Sequence, residues 1–371
     1  MEEVEATYRV SADTLRDFCT QVFMRLDVPE EDAQITADVL VEADLRGVAS
    51  HGVARLRRYV SGLQTGMMNP RPAVQVLVET PTTAALDADA GLGQPVSYRA
   101  MLMAIEKARE LGVGLVTVRN SNHYGIAGYY AMMALEEDMI GMSMTNTDVL
   151  VVPTFGRDAL LGTNPIAVAI PAGEELPYVL DMATSIVPRG KLEVYHRLGK
   201  KMPLGWATDE EGVATDDPGR VLHNLTHQLG GGLLPLGGEG ELMGGHKGYG
   251  LALLVELLCG VLSGAAYMNL TYPKDEKGRP LPSNIGHIFG AVRIDAFMPV
   301  DEFKARMDDA IRRLHNSSKA KGQTRIWVHG EKEFEQTEQN LATGVPLHVK
   351  VFNDLQAIAQ ELDVPFPFEG E

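Results

Sequence analysis

The sequence predicts an α/β fold of mixed design, and three observations carry that prediction. Val74, Val76 and Val78 alternate in the manner of a strand. A helical pattern over 94–111 runs straight into the apolar stretch Val113–Val118, which reads as a buried strand. Elsewhere strands and helices follow one another without a regular strand–helix–strand repeat, so a doubly wound parallel sheet is not indicated.

Taken in order, residues 11–26 place Leu15, Phe18, Cys19, Val22 and Leu26 at helical spacing, with Ser11 as a candidate N-cap. Pro29-Glu30-Glu31-Asp32 opens a second helix, with proline in the first turn and acids at the positive end of the dipole. Its inward face would be Ile35, Val39, Leu40 and Ala43, and Gly47 is a natural stop. A third helix is expected over Val53–Leu63, buried through Leu56, Tyr59, Val60 and Leu63. After the strand and helix noted above, Gly125–Glu137 reads as helix and Ile140–Asn146 as strand. Ile166–Ile170, Tyr178–Asp181 and Gly290–Ile294 are further strands, and Tyr249–Leu262 is a long apolar helix. Helical runs at Val300–Asn316 and Asn353–Leu362 close the chain and are placed to fold back on the N-terminal helices.

With 371 residues the chain is long enough for two or three domains and a large core. Lys plus Arg number 33 against 50 Asp plus Glu, for a net charge of -17, which argues against nucleic acid as a partner. The Arg-rich third helix (Arg55, Arg57, Arg58) is therefore not read as a helix-turn-helix. Small anionic substrates need only a local positive pocket. The two cysteines, Cys19 and Cys259, read as buried free thiols of a reducing compartment. The acidic start lacks a signal-peptide pattern, and Leu251–Leu262 is too short to span a bilayer and carries Glu256. A cytoplasmic protein without a membrane partner is expected.

Arg46-Gly-Val-Ala-Ser50-His51-Gly-Val-Ala-Arg55 sets a hydroxyl, an imidazole and two guanidinium groups between helix ends. His51 and Arg55, four apart, come near to sharing one face if a helix begins at Gly52. A proton donor beside an anion clamp suits a substrate with a carboxylate and a carbonyl; the alternative is a polar hinge. Residues 230–250 are glycine-rich and lead into an apolar helix with Lys247 at its mouth. That is a sensible phosphate cradle of backbone N–H groups, dipole and one cation. No Gly-x-Gly-x-x-Gly follows a strand, no phosphate loop ends Gly-Lys-Ser/Thr, and no His-Glu-x-x-His or Cys-x-x-Cys occurs, so no metal is expected.

Four more segments stand out: Asn120-Ser-Asn-His123-Tyr124-Gly125, Gly162-Thr163-Asn164-Pro165, Asp181-Met182-Ala183-Thr-Ser185, and Gly245-His246-Lys247-Gly248-Tyr-Gly250. Each alone is ordinary turn material. In this order, and after Ser50-His51-Gly52, they resemble the type-2 malate/L-lactate dehydrogenase family over Ser11 to about Pro365. That family includes sulfolactate and ureidoglycolate dehydrogenases, diketogulonate reductase and a cyclic-imine reductase.

The resemblance implies a non-Rossmann oxidoreductase using NAD or NADP and a homodimer with the site near the interface. It implies a helical domain from both chain ends (1–72 and 299–371) around a mixed α/β cofactor domain (73–298). By motif, His123, Tyr124, Gly125, Thr147, Thr163, Asn164, Asp181, Met182, Ala183, His246, Lys247 and Gly248 would hold the dinucleotide. Ser50, His51 and Lys191 would be catalytic, with His123 competing for the acid/base role. Arg55 would bind the substrate carboxylate, and Arg46 or Arg189 would supply a second cation for a dicarboxylate or sulfonate. Lys191 stands where the imine reductase has an aspartate, which favours a 2-oxo/2-hydroxy acid substrate over an imine. A hydrolase built on Ser50-His51 is disfavoured because adjacent residues seldom align as a relay and no Gly-x-Ser-x-Gly elbow occurs. A dinucleotide-binding protein without catalysis is argued against by the intact Ser50, His51, His123 and Lys247.

Overall fold

Alternation along the strands and small residues on the facing helices set the architecture. The computed structural model describes residues 7–368, so Met1–Ala6 of the acidic N-terminus lie outside the described residues. The chain begins β1 (Thr7–Val10), α1 (Ala12–Arg25), α2 (Glu30–Leu45), a 3₁₀ turn (Val53–Arg55) and α3 (Leu56–Gln64). It continues β2 (Gln75–Glu79), β3 (Thr83–Asp87), α4 (Gly93–Leu111), β4 (Val113–Ser121), α5 (Ala127–Met133), β5 (Met139–Thr145), β6 (Ile166–Ile170) and β7 (Tyr178–Met182). Then come α6 (Arg189–Arg197), β8 (Ala207–Thr208), α7 (Pro218–His227), β9 (Gly232–Leu233) and α8 (Gly245–Glu256), whose last turn, Leu257–Leu262, widens into a π-helix. It ends β10 (Ile285–Arg293), α9 (Val300–Asn316), α10 (Glu331–Thr343), β11 (Val345–His348) and α11 (Val349–Leu362).

Seven strands form one sheet in the order β2-β3-β4-β10-β5-β6-β7. β3 and β4 pair in parallel, and every other neighbouring pair is antiparallel. On one face, α4 and α5 present Ala100, Ala104, Ala108 and Ala131 to Ala84, Ala167, Ala169 and Ala291 of the strands. Such short side chains let the helices lie close to the sheet at little cost in side-chain entropy.

A second core joins α1, α2 and α3 to β11 and α11, and β1 pairs antiparallel with β11. α2 lies between the two cores: Val39 belongs to the sheet core, Leu40 and Val41 to the helical one. The expected one-sided face of α2 is therefore replaced by burial nearly all round, and Ile35 is only half-buried. Ser11 makes no side-chain cap bond.

Two further features differ from expectation. Residues 150–253 have a small core of their own, built on Val151, Leu161, Leu192, Val221 and Leu233. α9 docks on the β6–β7 connection instead of the N-terminal helices: the Asp308 carboxylate accepts the backbone N–H groups of Gly173, Glu174 and Glu175 at 2.9–3.1 Å. Three donors aimed at one carboxylate outweigh the apolar pull of the helical core on this charged helix.

Candidate active site

Strand register brings the flagged turns to one edge of the sheet. Ser121 at the end of β4 lies across from Ile285, Thr145 at the end of β5 across from His287, and Met182 at the end of β7 across from Ile166. The segments 121–125, 145–147, 163–166 and 181–184 thus emerge side by side. His287 pins the centre: its ring nitrogens bond Thr145 Oγ1 at 2.8 Å and Ser121 Oγ at 2.9 Å, and the ring stacks on Tyr124 at 4.6 Å.

The Ser50-His51 loop is held from beneath by Asp44. Its buried carboxylate accepts the Val53 N–H at 2.7 Å, and Gly52 passes so close that a Cβ there would sit 2.0 Å from Asp44 Oδ1. From α10, Asn340 Nδ2 donates to the carbonyls of Asp44 (3.2 Å) and Leu45 (2.9 Å), capping the end of α2. Burial pushes the Asp44 carboxyl up to about 7, although the Val53 N–H opposes the shift. A carboxyl raised in the folded state stabilises the fold fully below its unfolded value near 3.9 and loses that contribution as pH rises through 7. Asp44→Asn is therefore expected to flatten the pH dependence of stability between pH 4 and 8. It should raise unfolding free energy at pH 8 by on the order of 2–4 kcal/mol, read by denaturant titration. A variant as pH-sensitive as the parent would sink this.

Within the loop, Ser50 Oγ lies 2.9 Å from His51 Nδ1, and Arg55 Nε donates to the Ser50 carbonyl at 2.6 Å. The latter bond leaves the terminal amino groups of Arg55 for an anion. His51 faces His123 across the cleft, ring centroids 5.5 Å apart and 23° from parallel. Both imidazoles are held in their neutral forms. Burial, then Arg55 and Arg58, lowers His51 to about 4; burial, then Arg58, lowers His123 well below the usual histidine range. Tyr59 Oη lies 2.7 Å from His123 Nδ1, and Arg58 Nη2 donates to Tyr272 Oη at 2.9 Å.

Arg58, Tyr59 and Tyr272 were not foreseen as site residues. Arg58 belongs to the Arg-rich third helix and Tyr59 to its buried face, and only the periodicity of α3 puts both beside the Ser50-His51 turn. Arg46 requires a correction. Its guanidinium is buried 4.7 Å over the Phe334 ring and pairs with Glu42 at 3.8 Å, so it does not face the histidines. Arg189 and Arg58 instead both act on Asp148.

The remaining residues divide into surface and scaffold. Asn164 is fully buried: its amide donates to Glu256 Oε2 at 2.7 Å and the Ala252 carbonyl at 3.0 Å, while its oxygen accepts the Thr147 N–H at 3.2 Å. Asn146 donates to the other Glu256 oxygen at 3.1 Å, so one buried carboxylate ties both turns to α8. Asn164 therefore shapes the turn and has no donor left for a ligand. Tyr124 is likewise buried, bonded to Ser143 at 3.2 Å. Thr163 N–H donates to Thr147 Oγ1 at 2.9 Å, Met182 and Ala183 are half-buried beside them, and Gly125 follows His123 with φ 85°. Asp181 accepts the Gly128 N–H at 2.7 Å at the start of α5.

At the mouth of α8, His246 and Lys247 are exposed, and a Cβ on Gly248 would collide with the Leu236 backbone at 2.2 Å. The backbone N–H groups of His246 and Lys247 already donate to the carbonyls of Gly240 and Gly244, at 3.2 and 2.9 Å. The cradle thus offers two side chains more than bare amides. Lys191, at the start of α6, is exposed with its ammonium 5.5 Å over Trp206, and no hydrogen bond or ion pair among the described residues joins it to the histidines.

Two imidazoles held neutral beside the guanidinium groups of Arg55 and Arg58 fit a site that binds an organic anion and moves a proton. A family profile described as malate/L-lactate dehydrogenase matches residues 10–356. Malate dehydrogenase of Pyrococcus abyssi is 51% identical over 356 residues, covering 96% of this chain and 95% of that one. L-sulfolactate dehydrogenase of Methanocaldococcus jannaschii is 40% identical, covering 92% and 93%. The crystal structure of malate dehydrogenase from Entamoeba histolytica superposes with a TM-score of 0.93 at 39% identity, covering 98% of this chain and all of that one (100%). The chain belongs to the malate/L-lactate dehydrogenase family. It is a 2-hydroxy-acid dehydrogenase that uses a nicotinamide cofactor and a small organic acid.

Proposed function

We propose that the enzyme interconverts a dianionic 2-hydroxy acid of the malate type and its 2-oxo acid. The observation that carries this is the pair of guanidinium groups, Arg55 and Arg58, both acting on His51 and His123. A monocarboxylate engages one of them; a second anionic group engages the other. The relatives named for malate and sulfolactate act on dianions, which supports the same reading here. Comparing oxaloacetate with pyruvate tests it: Arg58→Gln should cost the dicarboxylate about 10²-fold in kcat/KM and pyruvate little, since a lost charge pair is worth about 2–5 kcal/mol. Equal losses for both substrates would sink the dianion assignment.

The bound cofactor, NAD or NADP, supplies or accepts the hydride at its nicotinamide ring. His123, Gly125, Thr147, Thr163, Asp181, Met182, Ala183, His246 and Lys247 are the residues proposed to hold it, with Asn164, Tyr124 and Gly248 shaping the turns. Arg55 orients the carboxylate next to the carbonyl through its terminal amino groups. His51 protonates the forming alkoxide and, in the other direction, removes the hydroxyl proton. Ser50 suits that exchange because a hydroxyl donates or accepts as the ring changes state.

A pH dependence follows. Burial, then Arg55 and Arg58, hold His51 near 4. Reduction needs its protonated form, so kcat/KM for the oxo acid should fall about tenfold per pH unit above that value, whereas kcat/KM for the hydroxy acid should level off above pH 5. Stopped-flow proton uptake on oxo-acid binding checks the same sign. A flat reduction profile from pH 5 to 8 would remove His51 from the role.

The mixed sheet of 73–298 is proposed as a non-Rossmann cofactor unit, with both chain ends forming the helical unit beside it. A homodimer is also proposed: Leu251, Leu254, Val261 and Leu262 leave an apolar stripe exposed along α8 and its π turn, which a second copy would cover. Glu256 in the same helix is bonded inside the protein, which argues against membrane insertion. Two buried free thiols favour the cytoplasm.

A further inference from the structure

Tyr59 has the sequence position of a core residue, and its ring is fully buried against Phe23. Its hydroxyl nevertheless ends 2.7 Å from His123 Nδ1, and the Gly125 N–H donates to the same nitrogen at 3.3 Å. A ring nitrogen accepts a backbone N–H only when it carries no proton itself, so Tyr59 must be the donor in its bond as well. Behind Tyr59, at the start of α4, lies Gln94. Its side-chain amide is fully buried, and neither its nitrogen nor its oxygen has a hydrogen-bond partner among the described residues, although it lies beside the Tyr59 phenol. An amide buried in this way is costly unless it serves a partner.

We infer that Gln94 and Tyr59 are positioning residues that form a one-way hydrogen-bond chain, Gln94 Nε2–H to Tyr59 Oη–H to His123 Nδ1, fixing His123 as the Nε2–H tautomer. This rests on the activity proposed above and divides the work of the two histidines. His123 donates a hydrogen bond from Nε2 to the C2 oxygen of the substrate and keeps its proton. As the hydride forms the C–H bond at C2, the carbonyl π pair moves to oxygen and takes the proton from His51, which is left neutral. The surroundings of His123 agree: Arg58, His51, Arg55 and His287 all oppose a charge on its ring. A protonated Nδ1 would also set N–H against the Gly125 N–H.

The test is the tautomer itself. Protein labelled with ¹⁵N-histidine is recorded without substrate in a long-range ¹H–¹⁵N correlation spectrum, with His123 assigned by its absence in His123→Asn. The expected result is a protonated Nε2 and an unprotonated Nδ1 from pH 6 to 9, while Tyr59→Phe and Gln94→Leu show mixed tautomers or a titration in that range. Tyr59→Phe should also lose about 10- to 100-fold in kcat with an unchanged KM for the cofactor, the scale typical of a lost orienting partner. A protonated Nδ1 in the parent protein, or an unaltered tautomer in Tyr59→Phe, overturns the inference. The parent spectrum decides even where a variant fails to fold. A protein that showed the fixed tautomer yet reduced no 2-oxo acid would support the chain and overturn the proposed activity alone.

Discussion

His51→Ala is expected to lower turnover of a 2-oxo acid by about 10²–10⁴-fold, the range for a positioned acid/base, while cofactor affinity stays nearly unchanged. The loss should fall on kcat, because the imidazole acts on the forming alkoxide and the carboxylate is held by Arg55. Initial rates from nicotinamide absorbance give kcat, and quenching of protein fluorescence gives cofactor affinity. His51→Ala retaining full activity while His123→Ala loses it would exchange the two roles. His123→Gln is the informative companion, since its amide keeps a donor and should retain more activity than His123→Ala.

Arg55→Leu should raise KM for the substrate by about two orders of magnitude or more, because truncating one side of a desolvated charge pair costs about 2–5 kcal/mol. The same change has a second, independent signature. Arg55 is one of the cations holding His51 near 4, so its removal should move the acid limb of kcat/KM for hydroxy-acid oxidation to higher pH. Arg55→Lys keeps the charge and should leave that limb in place while losing the forked contact. A limb that stays put in Arg55→Leu would mean that burial alone depresses His51.

Periodicity made the larger elements legible. α1, α4 and the strands at 113–121, 139–145 and 166–170 follow from the spacing of their apolar residues, because each turns one face to a core. The missed elements lack that signal for identifiable reasons. β1 and β11 have four residues each and exist because of one another, with Thr7 paired to His348. β3 reads Thr-Ala-Ala-Leu-Asp and gains its state from the parallel partner β4. α10 is mostly charged and polar, yet Gln336 and Asn340 on it face the end of α2. α7 did carry a readable start, Asp217 capping Gly219 and Arg220 with Pro218 in the first turn.

The site was legible as a set of turns, and the polar residues of those turns were read as contacts. Asn164 and Tyr124 show where that fails, since a polar group near a cleft is often consumed in holding the turn together. Arg46 failed for another reason: position five residues before His51 says nothing about which side of α2 its side chain leaves from. Spacing from His51 singles out Arg55 and says nothing that separates Arg57 from Arg58. Folding sorts them, sending Arg57 to Asp354 and Glu361 on α11 and Arg58 to the cleft.

The tie from Asn340 to the end of α2, together with the β1–β11 pair, bears on how the enzyme comes into being. On the ribosome, the His51 turn leaves the exit tunnel nearly three hundred residues before the amide that caps the helix feeding it. Until that point the N-terminal helices carry exposed Leu15, Phe18 and Val22 with no strand beside β1. The N-terminal helices can therefore complete their core, and the histidine turn its cap, only after nearly the whole chain has been made.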